Sequence, residues 1–224
     1  MSLDVIAAPS PNFNDRKLPI SLIILHYTGM ETGRVALERM CDPNAQVSAH
    51  YMVEEDGRIF QLVADDKRAW HAGVSYWQGE RDINSASIGV EIVNGGHDFG
   101  LPEYPAQQVA AVCLLVDELM RRHGLKPRQV IGHSDIAVDR KQDPGEHFPW
   151  TVLEGRGLAV QLRGEAASDT LLSDLERAGY DPEADQEDVV RAFQRRHRPL
   201  QVDGRVDGET SALVAAAAAI YGRK

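Results

Sequence analysis

The chain has 224 residues, with 24 Lys and Arg against 34 Asp and Glu, which gives a formal net charge of −10. This acidic balance excludes the basic surface with which most proteins bind nucleic acid. With 43% hydrophobic residues and no run near the ~18 apolar residues of a membrane span, the composition is typical of a globular protein of one large domain, or of one medium and one small domain.

Five short segments that are rich in apolar and β-branched residues predict the strands of one sheet. They are residues 22–27, 49–54, 58–63, 87–93 and 129–132. The first is almost wholly apolar, which is typical of a strand buried on both faces. The second and third flank the pair Asp56-Gly57, which favours a tight turn between two strands. The first 20 residues, rich in Pro, Asn and Ser, are predicted to form an extended lead-in.

Two helices are predicted between these strands, over residues 32–40 and 105–124. The second begins near Pro105 and ends at Gly124, residues that favour the start and the end of a helix respectively. Its apolar residues recur at helical spacing, so we expect this helix to lie on the sheet. Strands separated by helices predict an α/β fold, with a mixed central sheet of about five strands flanked by helices.

Composition changes after Trp150. Residues 151–167 hold few large apolar side chains and are predicted to be a linker. Helical patterns follow near residues 168–178, 186–197 and 208–221. A unit of this size is small but can fold alone. We therefore expect an extended lead-in over residues 1–20, a main α/β domain over 21–150 and a small C-terminal three-helix bundle over 168–224.

Cys41 and Cys113 lack the CxxC spacing of a metal or redox motif. They are interpreted as reduced, partly buried thiols, and a pairing between them stays open.

Three side chains of the kind that bind metals lie at strand ends or in the loops that follow. His26 ends the first predicted strand, His133 follows the last one, and Asp143 comes ten residues after His133. An α/β sheet collects its functional groups at the ends of its strands. One histidine there is more often an ordinary buried residue, but three such groups together favour a metal site.

Six short motifs together resemble one known family, the type-2 zinc-dependent N-acetylmuramoyl-L-alanine amidases, which are related to peptidoglycan recognition proteins and phage amidases. The motifs are residues 24–28, 48–51, 69–73, 84–91, 132–136 and 141–145. The resemblance implies hydrolysis of the amide bond between N-acetylmuramic acid, or its 1,6-anhydro form, and the L-alanine of the stem peptide, for wall recycling or remodelling. It also implies one Zn²⁺ per chain, held by His26, His133 and Asp143 with water in the fourth position, an arrangement typical of catalytic zinc.

Two further residues receive catalytic roles from this resemblance. Glu91 stands where the family has its glutamate and would serve as general base and then general acid. Strand alternation places Glu91 on the same face as Gly89 and Val93. Lys141 stands two residues before Asp143 and is expected to stabilise the oxyanion of the tetrahedral intermediate, the alternative being a solvated surface lysine.

Five residues are candidates for substrate contact. They are Tyr27, His50, Trp70, His71 and Arg81. A structural role in the core is favoured for His50. Trp70 and His71 are interpreted either as a wall of the substrate groove or as simple packing, and Arg81 either as a partner of a stem-peptide carboxylate or as an exposed loop residue. The remaining histidines, His97, His123, His147 and His197, are interpreted as surface residues.

The C-terminal segment resembles the three-helix peptidoglycan-binding domain that is often joined to such amidases. Residues 189–197 and 202–210 carry this resemblance. Peptidoglycan or muropeptide fragments are therefore the expected partners, and a monomer is expected. A catalytically inactive muropeptide-binding protein of the same fold, a phage-type endolysin and another zinc hydrolase are the alternatives. The amino terminus lacks a secretory signal, which favours the cytoplasm, with a trimmed periplasmic protein as the alternative.

Overall fold

A computed structural model describes residues 3–222. Residues 1–2 and 223–224, the ends of the predicted lead-in and of the predicted C-terminal bundle, lie outside the described residues. The strands are β1 (Val5–Ala7), β2 (Phe13–Asp15), β3 (Leu22–Tyr27), β4 (Tyr51–Val53), β5 (Ile59–Gln61), β6 (Lys67–Ala69), β7 (Ser87–Ile92) and β8 (Val130–Gly132). The helices are α1 (Gly33–Cys41), α2 (Ile83–Ala86), α3 (Ala106–His123), α4 (His133–Ile136), α5 (Trp150–Gly155), α6 (Leu171–Ala178), α7 (Gln186–His197) and α8 (Gly208–Tyr221).

The central sheet is mixed, and its strand order is β1-β5-β4-β7-β3-β8. Strands β4, β7, β3 and β8 run parallel, whereas β5 runs antiparallel to β4. Gly57, in the turn between β4 and β5, has a φ of 88°, a conformation that glycine adopts without steric cost. The mixed α/β fold and all five predicted strands are therefore confirmed.

The lead-in is more ordered than its composition predicts. Strand β1 pairs in parallel with β5 at the edge of the sheet, and β2 pairs antiparallel with β6 in a separate two-stranded sheet. Strands of three residues are too short to show a hydrophobic period, so the sequence pattern does not reveal them.

One face of the sheet is covered by helix α3. Ile23, Leu25 and Val90 on the strands pack with Val112 and Val116 on the helix in one buried cluster. Because side chains alternate along a strand, the neighbours of these strand residues must point to the opposite face. The predicted amphipathic helix therefore lies on the sheet as expected.

The C-terminal helices pack on the opposite face. Ile24 of β3 and Ile131 of β8 share a buried cluster with Val190 and Phe193 of α7 and with Val214 of α8. The three predicted helices are thus present, but their apolar residues form one core with the sheet. The predicted linker likewise contains helix α5, whose Leu153 is fully buried, so that part of the linker prediction is wrong.

A buried ion pair joins α7 to the strand end that carries His133. Arg196 donates from one guanidinium nitrogen to Asp135, at 2.9 Å, and from the other to the carbonyl of Val130, at 2.7 Å. Asp135 also accepts from the hydroxyl of Tyr180 at 2.7 Å. The guanidinium carbon of Arg196 lies 4.5 Å from the ring centre of Trp150. A buried charge is tolerated only when it is paired and hydrogen-bonded, and both members of this pair have further partners.

Cys41 and Cys113 are free thiols, and Cys113, a residue of α3, is buried in the cluster that α3 shares with the sheet. Between residues 3 and 222, no helix is both long enough and apolar enough to cross a membrane.

Candidate metal centre

Three buried side chains converge at one end of the parallel strands. His26 comes from β3, His133 begins α4 directly after β8, and Asp143 comes from the loop beyond α4. The two Nδ1 atoms lie 2.9 Å apart, and Asp143 Oδ2 lies 3.0 Å from Nδ1 of His26 and 2.9 Å from Nδ1 of His133. The three residues are only 1%, 3% and 4% exposed. The structure therefore brings together the ligand set that the resemblance implies.

The donor set fits a zinc ion. Two imidazole nitrogens and one carboxylate oxygen are ligands of catalytic zinc, and tetrahedral coordination with bonds of ~2.0–2.2 Å separates ligand atoms by about 3.3–3.6 Å. The other ring nitrogen of His133, Nε2, lies 3.1 Å from the carbonyl oxygen of Ala72. A proton on Nε2 leaves Nδ1 with a free lone pair, which is how metal-binding histidines are usually oriented.

The pKa values of His26 and Asp143 are shifted toward the protonation states that bind a metal ion. Burial, together with the nearby His133, lowers the pKa of His26 to about 4. For Asp143, burial acts to raise the pKa, but the two neighbouring imidazoles hold it well below its usual range. The site therefore presents a neutral His26 ring and an ionised carboxylate, the protonation states that cation binding requires.

His71 contacts the ring nitrogen of His26 that does not face the other two ligands. Its Nδ1 lies 3.0 Å from Nε2 of His26, and its Nε2 lies 3.2 Å from the hydroxyl of Ser87. The ring lies over Gly89, where a Cβ atom would come within 2.4 Å of it. Asn84 holds the segment by accepting from the backbone N–H groups of His71 and Ala72, at 2.9 and 2.8 Å. Sequence reasoning missed Asn84 and Ser87, although both stand in the motif over residues 84–91.

A cavity of about 450 Å³ opens over the three ligands. Glu91 and Lys141 both line it, together with Tyr27 and His71. Glu91 Oε2 is buried and has no hydrogen-bond partner in the described part of the chain. Burial, reinforced by the charge of Asp143, raises the pKa of Glu91 well above its usual range. A buried carboxylate oxygen without a partner is costly for a fold unless it has a task.

Three of the residues predicted to contact substrate do not line this cavity. His50 is fully buried, and its two ring nitrogens meet the N–H of Gly89 and the carbonyl of Lys67, each at 3.0 Å. Trp70 donates from its indole to Asn14, at 3.2 Å.

Arg81 faces the C-terminal helices instead of the cavity. Its guanidinium nitrogens pair with Asp181 at 3.1 Å and with Glu183 at 2.8 Å. Arg81 is exposed and takes its acidic partners from the C-terminal segment, which agrees with the alternative of an exposed loop residue.

Three of the remaining histidines differ from their predicted surface positions, whereas His147 is exposed as predicted. His97 lines the cavity and lies 3.0 Å from the hydroxyl of Tyr27. His123 is paired with Asp65 at 2.9 Å. His197 packs on Phe193, with ring centres 4.8 Å apart. The contacts of His97 and His123 join residues that are 70 and 58 positions apart, so the local sequence carries no signal for them. The contact of His197 is local, because Phe193 stands four residues earlier on the same helix.

Comparison with known proteins gives consistent matches. Residues 16–146, more than half of the chain, match the family described as N-acetylmuramoyl-L-alanine amidase. The amidase AmiD of Escherichia coli is 35% identical over 91% of this chain and 84% of its own length. The 1,6-anhydro-N-acetylmuramyl-L-alanine amidase AmpD of Citrobacter freundii is 36% identical over 63% of this chain and 84% of its own length.

Solved structures agree with these matches. The complex of E. coli AmiD with the substrate anhydro-N-acetylmuramic acid-L-Ala-D-γ-Glu-L-Lys has a TM-score of 0.83 at 33% identity, and covers 92% of this chain and 91% of that one. AmpDh3 of Pseudomonas aeruginosa, in complex with an anhydromuramic pentapeptide, has a TM-score of 0.75 at 32% identity over 88% of this chain and 90% of that one. With its fold, its buried His-His-Asp cluster and these matches, the chain belongs to the N-acetylmuramoyl-L-alanine amidase family.

Proposed function

We propose that this chain is a zinc-dependent amidase that cleaves the bond between N-acetylmuramic acid, including its 1,6-anhydro form, and the L-alanine of the stem peptide. The observation that carries the proposal is the convergence of His26, His133 and Asp143 under a cavity that Glu91 and Lys141 also line. Solved relatives that hold anhydromuropeptides support the choice of substrate.

One zinc ion held by the three converging side chains would act as a Lewis acid on the amide carbonyl and would lower the pKa of a water molecule toward ~7. The chain itself must then transfer a proton twice. Glu91, with its unpartnered oxygen and raised pKa, takes a proton from the attacking water and returns it to the departing amine of L-alanine.

Lys141 supplies positive charge to the same cavity. Its ammonium group offers three N–H donors and no acceptor, so it suits the negative charge that develops on the amide oxygen. Lys141 stands two residues before the ligand Asp143, and both side chains line this cavity.

A binding-only protein of the same fold is the second candidate. The presence of Glu91 and Lys141 beside the complete ligand set speaks for the enzyme, since binding alone requires neither. Attachment of the C-terminal helices to peptidoglycan, a monomeric state and a cytoplasmic location stay predictions that rest on the sequence.

The test uses the full chain, loaded with zinc and checked by metal analysis. Incubation with anhydro-N-acetylmuramic acid tripeptide should release free tripeptide, which mass spectrometry detects. Glu91→Gln should retain its zinc and lose roughly 10²-fold or more in kcat, because the residue moves protons and does not hold the metal. Intact muropeptide after incubation with folded, zinc-loaded wild type would reject the enzyme and leave the binding protein.

A further inference from the structure

A chain of polar contacts connects the substrate cavity with the C-terminal helix α7. The hydroxyl of Tyr27 lies 3.0 Å from Nδ1 of His97, and Nε2 of His97 lies 2.8 Å from Glu146 Oε2. The other oxygen of Glu146 accepts from Nε of Arg195, at 2.9 Å. Tyr27 and His97 line the cavity, whereas Arg195 lies beyond residues 16–146 that match the family.

The chemistry of these contacts determines the direction of each hydrogen bond. An ionised carboxylate only accepts, so Nε2 of His97 carries a proton and donates to Glu146. In the neutral ring, Nδ1 is then left to accept from the hydroxyl of Tyr27. Arg195 holds the carboxylate that selects this tautomer, and its side chain is only 9% exposed. A charge-assisted bond of this kind is stronger than one between neutral groups.

The position of the Tyr27 ring depends on the same contacts. The ring lies directly over Gly96, where an added Cβ atom would come within 2.5 Å of it. Gly96 thus makes room for the ring, while His97 contacts its hydroxyl end. The wall of the cavity next to His26 is therefore held by contacts that end on the C-terminal unit.

We propose that Arg195 is a positioning residue for the substrate cavity, which acts through Glu146 and His97 on Tyr27. The C-terminal unit then completes the catalytic site in addition to any contact that it makes with the wall polymer. This inference rests on the proposed amidase function for its kinetic test, and a second measurement below does not depend on that function.

The kinetic test compares Arg195→Met, Tyr27→Phe and the double variant with wild type on anhydro-N-acetylmuramic acid tripeptide. Each single variant should raise KM by about 3- to 10-fold, the worth of one hydrogen bond, with little change in kcat. The double variant should be no worse than either single one, because both changes break one chain of contacts. Arg195→Lys, which keeps a donor and a charge, should recover part of the loss.

The matched control is Arg177→Met, which removes an equally charged but exposed side chain from its ion pair with Asp174 on α6, whose carboxylate keeps the hydroxyl of Ser168 as a donor. It should leave KM unchanged. Zinc content and thermal midpoint are measured for every variant, so that a loss of folding is recognised. Additive effects of Arg195→Met and Tyr27→Phe, or an Arg195→Met variant that matches Arg177→Met in KM, would overturn the proposal.

The second measurement is the ¹H–¹⁵N NMR spectrum of the histidine rings in the zinc-loaded protein without substrate. Wild type should show His97 protonated on Nε2, and Arg195→Met should shift that signal. An unchanged His97 signal would overturn the proposal even if the wild type proved inactive. An inactive wild type with a shifted signal would instead reject the amidase function and leave the positioning contact standing.

Discussion

The replacement Arg196→Met tests how the C-terminal helices are attached to the sheet. The side chains of Arg196 and Asp135 are 3% and 0% exposed, and their nearest atoms lie 2.9 Å apart. Methionine fills much of the volume of the arginine stem, so the change removes the guanidinium and leaves little cavity. What it leaves behind is a carboxylate that is buried without its counter-ion.

Breaking a buried ion pair on one side costs about 3–5 kcal/mol of unfolding free energy. Asp135 still accepts from the hydroxyl of Tyr180 and from the N–H of Gly132, at 2.7 and 2.9 Å, which favours the lower end of that range. For a chain of this length 1 kcal/mol corresponds to about 2–4 °C in the thermal midpoint, so we expect a loss of roughly 6–12 °C.

The assay is thermal unfolding followed by circular dichroism at pH 7 with zinc present, and the control is the exposed Arg177→Met. The double variant Asp135→Asn/Arg196→Met should regain part of the lost stability, since it leaves no unpaired charge. A midpoint for Arg196→Met within 2 °C of wild type, or the same loss in Arg177→Met, would show that this contact does not anchor α7.

Two further predictions concern the histidines. His133→Ala should lower zinc stoichiometry and thermal stability together, because metal binding and folding are linked at a buried site, and an unchanged zinc content would speak against its assignment as a ligand. Burial lowers the pKa of His50 to about 4, below the ordinary value of 6.5, so protons bind the unfolded chain more strongly. The stabilisation from its neutral ring is therefore complete above about pH 6.5 and is lost as the pH falls toward 4, by about 2 kcal/mol at pH 5. Urea unfolding at pH 7 and pH 5 measures this loss, and His50→Asn should show a smaller pH dependence, whereas an equal dependence in the variant would assign the effect to other groups.

Local sequence patterns predicted most of the fold. The apolar run over residues 22–27, the turn at Asp56-Gly57 and the Pro and Gly that bound α3 each act within a few neighbouring residues, so their effect is visible without tertiary structure. The types of the three metal-binding residues, two histidines and one aspartate, are likewise visible in the sequence. The strands β1, β2 and β6 were not predicted, since three residues are too few to show the alternation of apolar and polar side chains that marks a strand.

The residues themselves determined which chemistry is available: imidazoles and a carboxylate for a cation, a glutamate for proton transfer and a lysine for negative charge. Only the tertiary structure decided which of these side chains meet. It turned Arg81 toward Asp181, buried His50 under Gly89, and drew His97 to the cavity through Glu146 and Arg195. The partners in each of these hydrogen bonds are 39 to 100 residues apart in the chain. Packing of the helices on the sheet therefore determines which of them come together.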